Sequence, residues 1–260
     1  MGVINVTPDS FSDGGQFLNT ETAIAQGHEM VRQGAAILDI GGESTRPGAA
    51  PVPQEEELAR VIPVLEGLKD CGARLSIDTA KSEVMRRAVE AGAGIINDVT
   101  ALRGDPDSLD VAAQTEAEIC LMHMRGTPQT MQKNPEYDDV VTEVFDFLAT
   151  RIAACEKAGI GKDRIIADPG IGFGKTLEHN LALLRNLERF GDLGVRILLG
   201  ASRKSFIARL SPETGQDPRD RLPGSLAAAL CGASKGADIL RVHDVAATRQ
   251  ALDVWAVLRA

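Results

Sequence analysis

Aromatic side chains are scarce in this chain: Phe, Trp and Tyr together make up 3% of 260 residues. An interior of that size must therefore be filled by Ala, Val, Ile and Leu, and the 43% hydrophobic content supplies them. Cysteine is equally thin. Cys71, Cys120, Cys155 and Cys231 stand far apart with no CxxC pair, which argues against a disulfide framework or a zinc site and for a reducing cytosol. No 18-residue apolar run and no signal-peptide core is visible, so the expectation is a soluble, untargeted protein of the cytoplasm. Positive charge is also in deficit, with 28 basic residues against 37 acidic ones and a net charge of −9. That argues against a broad nucleic-acid or anionic-membrane surface, but leaves room for a local cationic pocket for a phosphate.

What the chain does have is a recurring pattern. Short runs rich in Ile, Leu and Val alternate with longer amphipathic stretches. The runs are GVINV (2–6), AILDIGG (36–42), RLSIDT (74–79), GIINDV (94–99), EICLMHM (118–124), RIIADPG (164–170), RILLGAS (196–202) and DILRVHD (238–244). Their near-continuous apolar character suits strands buried on both faces. The amphipathic stretches include Glu21 to Gln33, Pro53 to Asp70 with Pro53 in the first helical turn, Lys81 to Ala91, and Val245 to Leu258. A phrase of helix, then Gly-Ala, then strand recurs at Gly34, Gly92 and Gly236, where glycine can close the helix in the left-handed region. Eight β-α units point to a TIM (β/α)8 barrel in one domain, residues 1–260. The rival is a doubly wound open sheet, disfavoured by the count of eight and by the lack of GxGxxG after the first strand.

Each run carries a polar residue near its C-terminal end: Asn5, Asp39, Asp78, Asn97, His123, Asp168, Ser202, and Arg241 with His243. A single such residue is an ordinary turn former or cap. Eight on the same side of a parallel barrel would converge on the mouth where such barrels keep their sites. Two connections are long for βα loops: VTPDSFSDGGQF after the first run and GGESTRPGAAPV after the second. Both read as lids over that mouth, the second bringing Ser44, Thr45 and Arg46 towards phosphate oxygens. GASRKSF (200–206) and RVHD (241–244) add Arg203, Lys204, Arg241 and His243. The mouth is thus read as acidic at one end and cationic at the other, suited to a polar heterocycle bearing phosphates. Lys175 in GFGKT lacks the GxxxxGK spacing of a nucleotide-binding loop, and His123 reads as structural or supporting.

The motifs MGVINVTPDSFSDGG, IGGESTRPGA, SIDTAK, IINDV, LMHMRGTPQTMQ, DPGIGFGKT, GASRKSFI and RVHDV, in that order, resemble the dihydropteroate synthase family over nearly the whole chain. The resemblance implies a TIM barrel that joins 6-hydroxymethyl-7,8-dihydropterin pyrophosphate to 4-aminobenzoate, giving 7,8-dihydropteroate and pyrophosphate. It implies dependence on Mg²⁺, a homodimer and sensitivity to sulfonamides as a family trait. Asp78, Asn97, Asp168 and Lys204 resemble the pterin-binding residues. Asn5, Thr45, Arg46, Arg241 and His243 resemble the pyrophosphate site, with Asn5 as the metal ligand. Pro47, Phe173, Lys204 and Ser205 resemble the aminobenzoate contacts. Asp78, Asp168, Lys204, Arg241 and His243 are the residues to which catalysis is assigned. Two alternatives stay open: a methyltetrahydrofolate methyl-transfer barrel, which needs no diphosphate site, and a catalytically silent pterin-binding barrel. Met1 stands almost inside the first strand, where relatives carry a short extension; a less covered barrel floor is the expected consequence.

Overall fold

The computed structural model describes residues 1–7, 16–44, 48–213 and 215–259, with the side chains of 16–19 left aside. Along the chain, strands and helices alternate: β1 Gly2–Asn5, α1 Gln16–Arg32, β2 Ile37–Gly41, α2 Gln54–Leu68, β3 Arg74–Asp78, α3 Ser82–Glu90, β4 Ile95–Asp98, α4 Ser108–Ala113 and β5 Glu118–Met122. They continue as α5 Val140–Lys157, β6 Ile165–Asp168, α6 Leu177–Arg185, β7 Arg196–Leu199, α7 Ser205–Leu210, α8 Leu222–Ser234, β8 Ile239–Leu240 and α9 Val245–Arg259. The sheet runs β1 to β8 in sequence order and every neighbouring pair is parallel. It closes on itself: Val3 N–H donates to the Val242 carbonyl at 3.1 Å, and Val242 N–H donates to the Met1 carbonyl at 2.9 Å. This is the TIM barrel; an open doubly wound sheet would leave β1 and β8 as edges.

The two-residue period of a strand sorts these segments into two cores. Ile4, Leu38, Ile40, Ile77, Ile96, Ile119, Leu121, Ile165 and Ile197 point outward and are buried under helical residues such as Leu65, Leu68, Met85, Leu148 and Leu183. Each large aliphatic so buried contributes about 1.5–3 kcal/mol. A second, smaller cluster fills the barrel interior: Ile37, Ile95, Cys120, Ile166, Leu198 and Ile239. Two residues further along each of those strands, the period returns to the interior one layer higher. The residues met there are Asp39, Asn97, Met122, Asp168, Gly200 and Arg241. The apolar floor thus carries a largely polar layer on top of it.

Local sequence explains the connections. Gly34, Gly92 and Gly236 have φ of 96°, 108° and 88°, in keeping with the left-handed closure expected at each Gly-Ala step. Asp105 Oδ2 accepts from Ser82 N–H at 2.9 Å and from its hydroxyl at 2.8 Å, which caps α3 from the following βα loop. Three expectations need adjustment. The first helix starts at Gln16, five residues before Glu21. Pro53 is the N-cap of α2, not part of its first turn. Asp39 lies in the middle of β2 rather than at its end, because the strand extends two residues further into Gly41.

Candidate functional site at the barrel mouth

Asp39 is the hub of the upper interior layer. It is wholly buried. Its Oδ1 accepts from the Ser76 hydroxyl at 2.6 Å, and its Oδ2 accepts from Asn97 Nδ2 at 3.0 Å and from Arg241 Nε at 2.6 Å. Arg241 also donates through Nη2 to Asp78 Oδ2 at 2.8 Å. One guanidinium therefore bridges two carboxylates from β2 and β3, and among the described residues its Nη1 is unused. Register explains the convergence: Asp39 sits beside Ser76, and Gly41 beside Asp78, which in turn sits beside Asn97.

Asp168, the last residue of β6, accepts from Gly170 N–H at 2.7 Å. Gly200 keeps the space beside it open: a Cβ there would lie 3.9 Å from Asp168 Oδ2 and 4.0 Å from the Arg241 Cβ. Lys204 Nζ stands 3.9 Å from the centre of the Phe173 ring, a cation–π contact. Ser205 is exposed at the first turn of α7. Asn5, half-buried at the end of β1, has no hydrogen bond to its side-chain amide among the described residues. A cavity of about 550 Å³ opens next to Asp78, walled by Thr79, Lys81, Val99, Thr100 and Met124. Lys81 pairs with Glu43 and Glu57, and Arg60 Nη1 donates to the Gly42 carbonyl at 2.6 Å. The base of the second long loop is thus tied to α2 and to the start of α3.

Burial dominates the electrostatics. It raises the Asp78 pKa to about 7, against the pull of the Arg241 charge and with help from Asp39. It likewise raises Asp168, opposed by the Gly170 N–H and by Lys204, Arg241 and Lys175. Lys204 is lowered to about 8, again chiefly by burial, while Asp168 resists. Arg241 is raised by Asp39 and Asp78, which outweigh its desolvation. His243 is pushed down to about 4 by burial and by the charges of Arg241 and Arg203.

Two expectations about cations change as a result. His243 is a neutral imidazole near pH 7. The Ser202 hydroxyl accepts from the His243 backbone N–H at 3.2 Å and lies 3.0 Å from Nδ1, an arrangement that fits donation to Nδ1 and a ring proton on Nε2. His243 can therefore donate a hydrogen bond to an anion, without carrying a charge to it. Arg203 is not free for an anion either: Asp244 holds its guanidinium, with Nε to Oδ2 at 3.0 Å. Of the two cations in the GASRKSF cluster, Lys204 is the one that no described carboxylate holds in an ion pair.

Asn5, Asp78, Asn97, Asp168, Phe173, Lys204, Ser205, Arg241 and His243 thus stand at the C-terminal ends of the strands or in the loops that follow them. Thr45, Arg46 and Pro47 lie outside the described residues. Residues 1–243 match the pattern of the family described as "pterin binding enzyme". The Escherichia coli (strain K12) dihydropteroate synthase is 49% identical over 255 residues, 98% of this chain and 89% of that protein. This chain belongs to the dihydropteroate synthase family. A solved structure of the Xanthomonas albilineans dihydropteroate synthase with 4-aminobenzoic acid superposes with a TM-score of 0.93 at 53% identity, over 100% of this chain and 92% of that one. The same enzyme in complex with 7,8-dihydropteroate gives 0.90 at 50% identity, over the same shares of the two chains.

Asp39, which is not among the residues that resemble the family's ligand contacts, is the hydrogen-bond hub of the site. It was visible as one of the nine polar residues associated with the eight strands. What singles it out is that it takes a hydrogen bond from each of Ser76, Asn97 and Arg241, on three other strands or strand ends.

Proposed function

We propose that this chain is a dihydropteroate synthase, condensing 6-hydroxymethyl-7,8-dihydropterin pyrophosphate with 4-aminobenzoate to give 7,8-dihydropteroate and pyrophosphate. The observation that carries the reading is the interior layer itself: Asp39, Asp78, Asn97 and Asp168 in one mouth with Arg241 and Lys204. Carboxylates and an amide there match the donor-rich edge of a pterin. The Nη1 of Arg241, unused among the described residues, and the Nε2–H of His243 offer donors to a diphosphate.

The bond from the pterin methylene to the diphosphate oxygen breaks first, in an SN1-like step, and its electron pair leaves on pyrophosphate. The cation left behind is delocalised into the dihydropterin ring. Asp78 and Asp168, ionised, stabilise it from the buried side. Arg241 and His243, with Thr45 and Arg46 from the second loop, hold the leaving group. The neutral aromatic amine of 4-aminobenzoate then forms the new C–N bond and sheds a proton to water. Pro47, Phe173, Lys204 and Ser205 orient that amine, and Lys204 also contacts the pterin.

Among the described residues no three His, Cys, Asp or Glu side chains gather as a metal cage, and Asp39 and Asp78 are occupied by Arg241. Asn5, whose side-chain amide has no partner among the described residues, fits a Mg²⁺ ion that would be held mainly by diphosphate oxygens and water. Such an ion would supply charge neutralisation on the leaving pyrophosphate.

The same reading covers residues 1–260 as one domain that acts as a cytoplasmic homodimer, with small molecules as its substrates and neither nucleic acid nor membrane as a partner. No helix among the described residues is long and apolar enough to cross a membrane. Support for self-association comes from the exposed apolar side chains Leu210 on α7 and Val254, Val257 and Leu258 on α9. On α8, by contrast, Ala228 and Ala229 are buried.

The test is release of pyrophosphate from the pterin substrate. Release that requires both 4-aminobenzoate and Mg²⁺, with 7,8-dihydropteroate as product, is the expected result. Binding of the pterin without turnover would indicate the silent barrel, and a trapped pterin–enzyme adduct would rule out the dissociative route.

A further inference from the structure

One fully buried lysine in this mouth has no part in the reaction just described. Lys175 is 2% exposed. Its Nζ lies 3.0 Å from His123 Nδ1, 3.0 Å from the Phe173 carbonyl oxygen and 3.3 Å from the His123 carbonyl oxygen. Three protons meet three acceptors. His123 can accept only as a neutral ring, and burial together with the Lys175 charge pushes its pKa down to about 2. The His123 ring is itself held edge-on by Phe147 at 4.9 Å between centroids.

The loop that Lys175 closes is pressed against the end of β5. Gly170 has φ of 71°, and a Cβ on it would stand 1.9 Å from the His123 carbonyl oxygen, so no side chain fits there. Further ties hold the same loop: Gln132 Nε2 donates to the Gly172 carbonyl at 2.7 Å, and the Tyr137 hydroxyl to the Gly174 carbonyl at 2.8 Å. Lys175 reaches Phe173, the loop residue beneath Lys204, through its carbonyl. Lys204 rests on this loop, its ammonium over the Phe173 ring and its Cδ 3.1 Å from where a Gly172 Cβ would be. Burial lowers the Lys175 pKa to about 7, with the Asp168 charge opposing, so below about pH 7 the group is an ammonium that faces Asp168 across Gly170, whose N–H lies 2.7 Å from Asp168 Oδ1 and whose Cβ position would be 3.3 Å from Lys175 Nζ.

We propose that Lys175 is a positioning residue with two effects: its hydrogen bonds fix Phe173 beneath Lys204, and its charge is a buried counter-charge to Asp168. The inference rests on the functional reading above, since it assigns Phe173 and Lys204 to 4-aminobenzoate and Asp168 to the pterin. Other charges bear on the same groups. Asp168 is also faced by Lys204 at the start of α7 and by Arg241 after β8. Lys175 is faced by Asp168 and Lys204, while His123 also feels Arg125 and Arg103, and His179 on α6 feels Lys175.

Two substitutions separate the two effects. Lys175→Met removes donors and charge; Lys175→Gln keeps two N–H donors and loses the charge. Steady-state kinetics is measured from pH 5 to 9, with thermal melting to confirm folding. Lys175→Met is expected to raise the KM for 4-aminobenzoate by about tenfold, from the loss of buried hydrogen bonds. It should also move the acid limb of kcat/KM for the pterin substrate to higher pH, because Asp168 then holds its proton more tightly. Lys175→Gln should bring the KM back to within about threefold of wild type while keeping the displaced limb. Folded variants with an unchanged KM and an unchanged acid limb overturn the proposal. If neither variant folds, His123→Leu leaves the Lys175 charge in place and removes one acceptor. An increase of about threefold in KM with an unmoved limb is then expected, and an unaltered KM overturns the proposal. A wild-type protein that makes no dihydropteroate refutes the functional reading, and the inference with it; an active wild type with insensitive variants refutes the inference alone.

Discussion

Replacing Asp39 by alanine removes the acceptor on which three elements of the mouth converge. Three donors lose their partner: the Ser76 hydroxyl, Asn97 Nδ2 and Arg241 Nε. The Arg241 charge stays paired with Asp78 at 2.8 Å, so the loss falls within the range for breaking one arm of a buried ion pair, about 3–5 kcal/mol. Unfolding entropy near 2.1 cal/mol/K per residue, over 260 residues, gives about 0.55 kcal/mol per degree, so Tm should fall by about 5–9 °C. Ser76→Ala is the control. It removes one neutral donor, worth about 1 kcal/mol, and should lower Tm by only about 2 °C. Differential scanning calorimetry measures both, and steady-state kinetics should show kcat/KM for the pterin substrate falling in Asp39→Ala, since Asn97 and Arg241 lose the group that orients them. An Asp39→Ala protein that melts within 2 °C of wild type and turns over normally would refute the hub (about 1 kcal/mol is the most such a shift allows).

Three other outcomes are expected. The Asp78 pKa near 7 has opposite consequences for activity and stability: kcat/KM should fall below about pH 7 as the carboxylate protonates, whereas unliganded stability should decline as pH climbs from about 4 to 7, because the folded state keeps a proton that the unfolded chain has released. Asp78→Asn should erase the stability slope, leave only the Asp168 part of the acid limb, and cut turnover by about 100-fold or more, with pyrophosphate affinity little changed; turnover at the wild-type rate would disprove the cation-stabilising role. Chelation of divalent metal should abolish turnover, and Asn5→Ala should raise the Mg²⁺ concentration needed for half-maximal rate several-fold while leaving Tm within about 1 °C, since the side chain holds no described partner; an unchanged metal requirement would contradict the assignment. Phe173→Ala should raise the KM for 4-aminobenzoate and the inhibition constant of a competing sulfonamide in parallel, by about tenfold, from the lost ring contact and cation–π platform; a change in pterin KM alone would place Phe173 elsewhere.

Each of the eight strands lies inside the run from which it was expected, and the three Gly-Ala steps turn as anticipated. Both features are local. A strand buried on both faces needs an unbroken aliphatic run, and a helix that must reverse needs a residue at ease in the left-handed region, so each leaves its mark within a few residues of sequence. The motifs likewise located the mouth, because the ends of parallel strands share one side.

Partnership is what linear order left undecided. Asp39 and Asp78 are 39 residues apart, and each is more than 160 residues from the Arg241 that joins them. Nothing near Arg203 in sequence announces that Asp244 will occupy it, or that Ser202 will fix the proton of His243 on Nε2. Likewise, Lys175 looks like a loop lysine until the closed barrel buries it against His123. Residue types and the strand period therefore determined the architecture and which side chains face the interior. Which charge neutralises which, and which cation remains free for a ligand, was decided only when barrel closure set distant strand ends within hydrogen-bonding distance and removed the water that would otherwise have served them all alike.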